Sequence, residues 1–224
     1  MTTFAEFRTA VARDLRDPSY LTFVTDDLAD MINEALSEIG RIAPQRFQED
    51  ITPVADTLEY IVRSAYFDGE ANPEIELARV EIWDGSKSPP LFIAKLTPSA
   101  SEYVSQGDTG WWFFGGILHL SNSMETAIDP DIHLIRVWGY SPYRQMDDDA
   151  NVVEPSAEAQ WAMRAYCRIA GLQRLSFERD LFTQWQTRSN NTDVSPAALM
   201  NALSIAQEEW RRRERKLMVL RQTP

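Results

Sequence analysis

Hydrophobic periodicity changes twice along this chain, and that double change limits its fold more than any motif does. Up to Pro44, and again after Pro155, apolar residues recur every three or four positions, as on one face of a helix. Between those prolines they alternate or run in short blocks, as strands do. The expected class is therefore α+β, mainly α. An antiparallel helical bundle built from both chain ends, 1–47 and 153–224, carries an inserted small antiparallel β domain over 48–152.

Local signals fill in this frame. Thr3 and Glu6 stand in capping-box spacing ahead of Phe4, Phe7, Val11 and Leu15, and Asp17-Pro18 stops that helix. Thr25 is the expected N-cap of a second helix, with Asp26 and Asp27 in the first turn and a stripe of Leu28, Ile32, Ala35, Leu36 and Ile39. Strands are expected at Leu58–Val62, Ala78–Trp83, Leu91–Ala94, Ile117–Leu120 and Ile132–Tyr140. A short helix is expected over Thr97–Val104, and an aromatic loop over Gly110–Gly116. After Pro155 one long helix should run to about Arg188. A last one is capped by Ser195 and opens on Pro196.

Composition narrows the function classes. With 224 residues, 44% of them hydrophobic, the chain can bury a sizeable core. A net charge of −12 speaks against a nucleic-acid clamp built on bulk positive charge. Cys167 is the one cysteine, which predicts manufacture in a reducing cytosol. The first residues lack the pattern of a signal peptide, and no apolar run reaches the length of a membrane span. The expectation is a soluble intracellular protein.

Little in the sequence suggests chemistry. His119 and His133 fall in expected strands and, with one cysteine, fit no zinc spacing. Asp147, Asp149, Asn151 and Glu158 match positions 1, 3, 5 and 12 of a calcium loop. Val152 replaces the glycine needed at position 6, however, and the stretch reads as an exposed acidic loop. Cys167 sits in an amphipathic helix, where a lone cysteine is a small core residue. No nucleophile elbow, phosphate loop or dinucleotide fingerprint is present. In so acidic a chain, a pair such as Asp129 and Asp131 carries no information. No catalytic, cofactor or metal residue is assigned, and the chain is not expected to be an enzyme.

Two features point to partners instead. Trp111, Trp112, Phe113 and Phe114 are four consecutive aromatics between glycines. They either plug the protein's own core or anchor a contact with a tail protein or a neighbouring subunit. Residues 207–224 carry six basic and three acidic side chains, whereas the rest of the chain is strongly acidic. There Trp210, Arg211, Arg212, Arg213, Arg215, Lys216, Leu217, Met218, Leu220 and Arg221 make a terminal helix that is both basic and apolar. That is the character of a docking tail, or of a solvated helix face. Read as a tail, its deletion from residue 210 onward should leave the fold largely intact.

The opening Phe4-x-x-Phe7 helix, and the second helix Asp26-Asp27-Leu28-Ala29-Asp30-Met31-Ile32-Asn33-Glu34-Ala35-Leu36-Ser37-Glu38-Ile39, resemble the head-to-tail adaptor (connector) proteins of tailed bacteriophages. The resemblance covers mainly residues 3–46; the remainder matches in element order. It implies a homo-oligomeric ring, usually of twelve copies, beneath the portal protein of the virion and made in the host cytoplasm. The C-terminal segment would dock on the portal and the β-rich part would meet a downstream tail protein. DNA would pass through an acidic channel without specific binding or any membrane contact. A tail-tube or other virion assembly protein, and a carbohydrate-binding module using Trp111 and Trp112, are the alternatives.

Overall fold

The computed structural model describes residues 2–63, 66, 67, 70, 71, 75–99, 110–125 and 127–222. It is α+β, with five α-helices and two small, mainly antiparallel sheets. The chain divides into two compact units, 1–44 with 143–224, and 45–142. Both boundaries fall earlier than the expected 48 and 152, because Gln45–Ile51 is already a strand and His133–Ser141 is the last one.

The first unit contains all five helices. Helix α1 (Phe4–Asp14) starts on the expected box: Glu6 N donates to Thr3 Oγ1 at 3.2 Å and Thr3 N donates to Glu6 Oε2 at 2.9 Å. Helix α2 (Thr25–Ile42) differs in one detail. Thr25 is its first helical residue, and Val24 occupies the cap without a side-chain bond. Its start therefore depends on Asp26 and Asp27 against the helix dipole, and on its fully buried stripe of Leu28, Met31, Ile32, Ala35, Leu36 and Ile39.

The long helix expected after Pro155 is two. Helix α3 (Ala157–Phe177) is capped by Ser156, and Pro155 precedes that cap; α4 (Arg179–Arg188) follows after an extended Glu178. The break leaves Phe177 85% exposed and turns Trp185 into the core, where its Nε1 donates to Leu15 O at 2.9 Å. No proline or glycine marks this break. Tertiary demand for Trp185 overrides local propensity. Gly171 on α3 lets Leu15 approach so closely that an added Cβ would sit 2.5 Å from its Cδ2. Helix α5 (Pro196–Gln222) begins as expected, with Ala198 N donating to Ser195 Oγ at 3.1 Å.

Where α1 ends, Asp17 is 1% exposed. Its carboxylate accepts from Leu21 N, Thr22 N and Phe23 N at 2.8–3.0 Å, and from Ser189 Oγ at 2.7 Å. Asn191 Nδ2 donates to the neighbouring Arg16 O at 3.1 Å, and Arg16 itself takes a left-handed φ of 54°.

The second unit has two four-stranded sheets, in the orders β1-β10-β5-β6 and β2-β9-β8-β7, and a two-stranded pair β3-β4. Their strands are β1 (Gln45–Ile51), β2 (Glu59–Ile61), β3 (Tyr66–Phe67), β4 (Glu70–Ala71) and β5 (Glu76–Asp84). They continue with β6 (Leu91–Lys95), β7 (Thr97–Pro98), β8 (Gly110–Phe114), β9 (Ile117–Leu120) and β10 (His133–Ser141). All pair antiparallel except β7 with β8. The helix expected over Thr97–Val104 is replaced at Thr97–Pro98 by a strand, and its part from Ala100 on lies outside the described residues. Both larger sheets contribute to one apolar core, including Tyr60, Val80, Ile82, Trp111, Leu118, Leu120, Ile135 and Val137. Phe47 lies across from Gly139, where an added Cβ would meet the Phe47 ring at 2.6 Å.

The other face of the first sheet carries an ordered arginine–tryptophan ladder. Arg136 binds Asp50 through two bonds of 2.6 and 2.8 Å and lies 4.3 Å from the Trp83 ring centroid. Arg79 sits 3.8 Å over Trp138, and the buried Glu81 accepts from Trp83 Nε1 at 2.8 Å.

Asp17→Ala removes a buried acceptor and orphans three backbone N–H groups, so it should cost about 3 kcal/mol in denaturant unfolding of the helical unit.

Candidate interaction surfaces

The four aromatics do not form a loop. Gly110–Phe114 is strand β8, and Gly115 and Gly116 make its two-residue turn into β9, with φ of 57° and 82°. A strand sends alternate side chains to opposite faces, and this one splits the quartet in two. Trp111 is buried in the sheet core with Nε1 donating to Leu96 O at 3.3 Å, and Phe113 packs against the same core. Trp112 and Phe114 point to the other face.

That outer face is built across three strands. Register places Ile61 beside Ile117 and Ile117 beside Phe114; one step along, Glu59, His119 and Trp112 stand side by side. Phe114 is 76% exposed and Ile61 62%. Trp112 and His119 stack with centroids 4.9 Å apart and planes 3° from parallel, and His119 Nδ1 lies 3.3 Å from Glu59 Oε1. The result is an apolar row, Ile61–Ile117–Phe114, at the hairpin tip, backed by a held aromatic pair. Such rows occur where another surface excludes water. Ile61 and Ile117 escaped sequence reasoning, since only strand pairing brings them beside Phe114. The Gly115-Gly116 pair between two apolar runs was the available signal for the hairpin.

The second expected surface is only partly free. Leu217 is buried in the helical core, and Trp210 packs edge-on to Tyr166 at 5.3 Å. Arg213 binds Glu209 at 2.8 Å and reaches Glu158 at 3.6 Å; Lys216 binds Glu158 at 2.9 Å. Arg211, Arg212, Arg215 and Met218 remain exposed, while the side chains of Leu220 and Arg221 lie outside the described residues. This corrects the expectation that removing residues 210–224 spares the fold: the segment supplies core side chains and closes on α3.

The remaining sequence candidates have ordinary structural duties. His133 Nδ1 accepts from Asp129 N at 2.8 Å, holding the turn before β10. Asp149 pairs with Arg8 at 2.9 Å, Asp147 accepts from Asn151 Nδ2 at 3.0 Å, and Glu158 faces α5. Of the four calcium-loop candidates, Asp147 and Asn151 thus hold each other, while Asp149 and Glu158 are engaged elsewhere. Among the described residues, no group of three or more His, Cys, Asp or Glu side chains is placed to hold a metal. Burial pushes the Cys167 thiol pKa well up. No helix among the described residues is long and apolar enough to cross a membrane. No protein-family model matches the chain, and no curated protein matches it.

Two outcomes are expected. Trp111→Ala should destabilise the strand-rich unit by about 4 kcal/mol, while Phe114→Ala should change stability by less than about 0.5 kcal/mol in the same denaturant titration. Lys216, with Arg213, holds the Glu158 carboxyl below its usual range. A lowered folded-state pKa gives stability that is present above the ordinary value and lost as pH falls through the lowered one. The Lys216–Glu158 bridge should therefore persist at neutral pH and be lost only below about pH 4.5, read from the side-chain carboxyl signal of Glu158 in an NMR pH series, with the α3–α5 packing retained.

Proposed function

We propose that this chain is a structural head-to-tail adaptor subunit. Copies form a ring beneath a phage portal, close the capsid vertex and join it to the tail, and DNA passes through the channel. In this reading the two terminal segments form a helical bundle and the strand-rich unit is an insertion that meets the next tail component. The observation that carries it is the apolar row Ile61–Ile117–Phe114 beside the Trp112–His119 stack. A surface of this kind serves association, and its stacked aromatic pair holds it rigid before contact, which lowers the entropy cost of binding. The opening helices, with their resemblance to phage adaptors, supply the class of assembly. The acidic balance of the chain suits a channel along which phosphate slides without sticking.

Portal docking falls, in this proposal, to the C-terminal end of α5 from Met218 onward, past the point where Leu217 is committed to the core. Deleting residues 219–224 should abolish attachment to portal rings, whereas deletion from Trp210 should in addition lower stability by several kcal/mol. Native mass spectrometry of the chain with a portal assembly tests the whole reading. A defined stoichiometric ring on the portal is expected, and a monomer indifferent to the portal rejects it. Phe114→Asp should leave portal attachment intact and abolish recruitment of the tail component.

A further inference from the structure

The middle of α5 presents an unpartnered basic face. Arg211, Arg212 and Arg215 are exposed, and their guanidinium groups engage no carboxylate among the described residues; Arg215 Nε donates only to Arg211 O, at 3.2 Å. On α1 to α4, Arg8, Arg41, Arg164 and Arg174 each reach a carboxylate, whereas Arg13, Arg168, Arg179 and Arg188 form no ion pair with a described residue. What sets the α5 arginines apart is their grouping: Arg211, Arg212 and Arg215 fall within about 100° of one another on one helix, in a chain of net charge −12.

The same unit carries the complement. On the outward side of α2, Asp26, Asp30 and Glu34 follow one another at steps of four. Asp30 has no partner among the described residues, Asp26 accepts only from its neighbour Thr25 at 3.5 Å, and Glu34 accepts from Tyr166 Oη at 2.9 Å without neutralisation. Asp30 and Glu34 stand one helical turn apart, as do Arg211 and Arg215. That is about 6 Å along each axis, so two ion pairs can close together whichever way the helices run. Exposed apolar side chains flank both stripes, with Val24 before the acids and Ile205 and Met218 on either side of the arginines. Glu208, Glu209 and Glu214 line the same surface as these arginines and oppose the stripe, Glu209 being held by Arg213 at 2.8 Å.

We infer that the α5 arginines of one copy dock on the α2 carboxylates of a second copy, and that this is the subunit–subunit contact of the ring. The inference rests on the adaptor reading and deepens it, assigning Arg211, Arg212 and Arg215 to the neighbouring copy instead of the portal. The two stripes differ, so the contact is heterologous: each copy offers a basic face forward and an acidic face behind. Repetition then closes a ring or extends a filament. Isolated surface ion pairs contribute little, but a charge-matched pair of faces steers encounter and fixes orientation, at low salt above all.

Charge reversal with complementation tests it. Arg211→Glu with Arg215→Glu makes both stripes acidic; Asp30→Lys with Glu34→Lys makes both basic. In low-salt native mass spectrometry and sedimentation, the wild type should self-associate, and each double variant should weaken that by roughly a hundredfold, about tenfold per pair. Mixing the two variants should restore alternating oligomers, a gain that a misfolded variant cannot produce. Raising the salt from about 0.05 to 0.5 M should dissociate the wild type. The contact is wrong if the wild type stays monomeric at low salt, if either variant assembles normally, or if the mixture fails to recover. If the wild type still forms rings on portals in those cases, the adaptor reading survives; without portal binding it falls as well.

Discussion

The helical unit depends on one buried carboxylate. Asp17 lies where α1 stops, and a polar group out of water is tolerable only when its hydrogen-bonding capacity is filled. Three backbone N–H groups of residues 21–23 and the Ser189 hydroxyl fill it. The same few residues also receive Trp185 at Leu15 O and Asn191 at Arg16 O. The turn into α2 and the junction between α4 and α5 are thus fastened to one point, although they stand some 170 positions apart in the chain. Closing contacts so far apart in the chain carries a larger loop-closure entropy cost than local packing does.

Strong local chemistry was easy to read. The Thr3–Glu6 box, the Ser195–Pro196 start and the α2 stripe carry their own hydrogen bonds or periodicity, and the structure has them in place. Strand β1 was hidden because Gln45, Arg46, Gln48, Glu49 and Asp50 leave only Phe47 and Ile51 as apolar residues. Its place comes from β10, where Phe47 fills the space over Gly139 and Asp50 answers Arg136. The break at Glu178 was hidden for the opposite reason. Residues on both sides favour helix, and only the distant Leu15 carbonyl requires Trp185 to turn.

The candidate surfaces were legible to the same degree. The aromatic quartet marked the right segment, but its meaning turned on the alternation of β8. That sends Trp111 and Phe113 inward and leaves Trp112 and Phe114 on the outer face. Composition marked the basic end of the chain, yet could not separate Arg213, clamped between Glu158 and Glu209, from Arg211 and Arg212 two positions away or fewer. Helical phase makes that division: three consecutive residues span most of a turn, so one faces α3 while the others face outward.

Cys167 is fully buried on α3 in the helical unit, and the chain has no second thiol. A thiol reagent can reach it only when that unit opens, whatever the strand-rich unit does. The protein thus contains its own clock for helical breathing: the rate of alkylation, compared with that of the denatured chain, reads the opening equilibrium of one unit without any label being introduced.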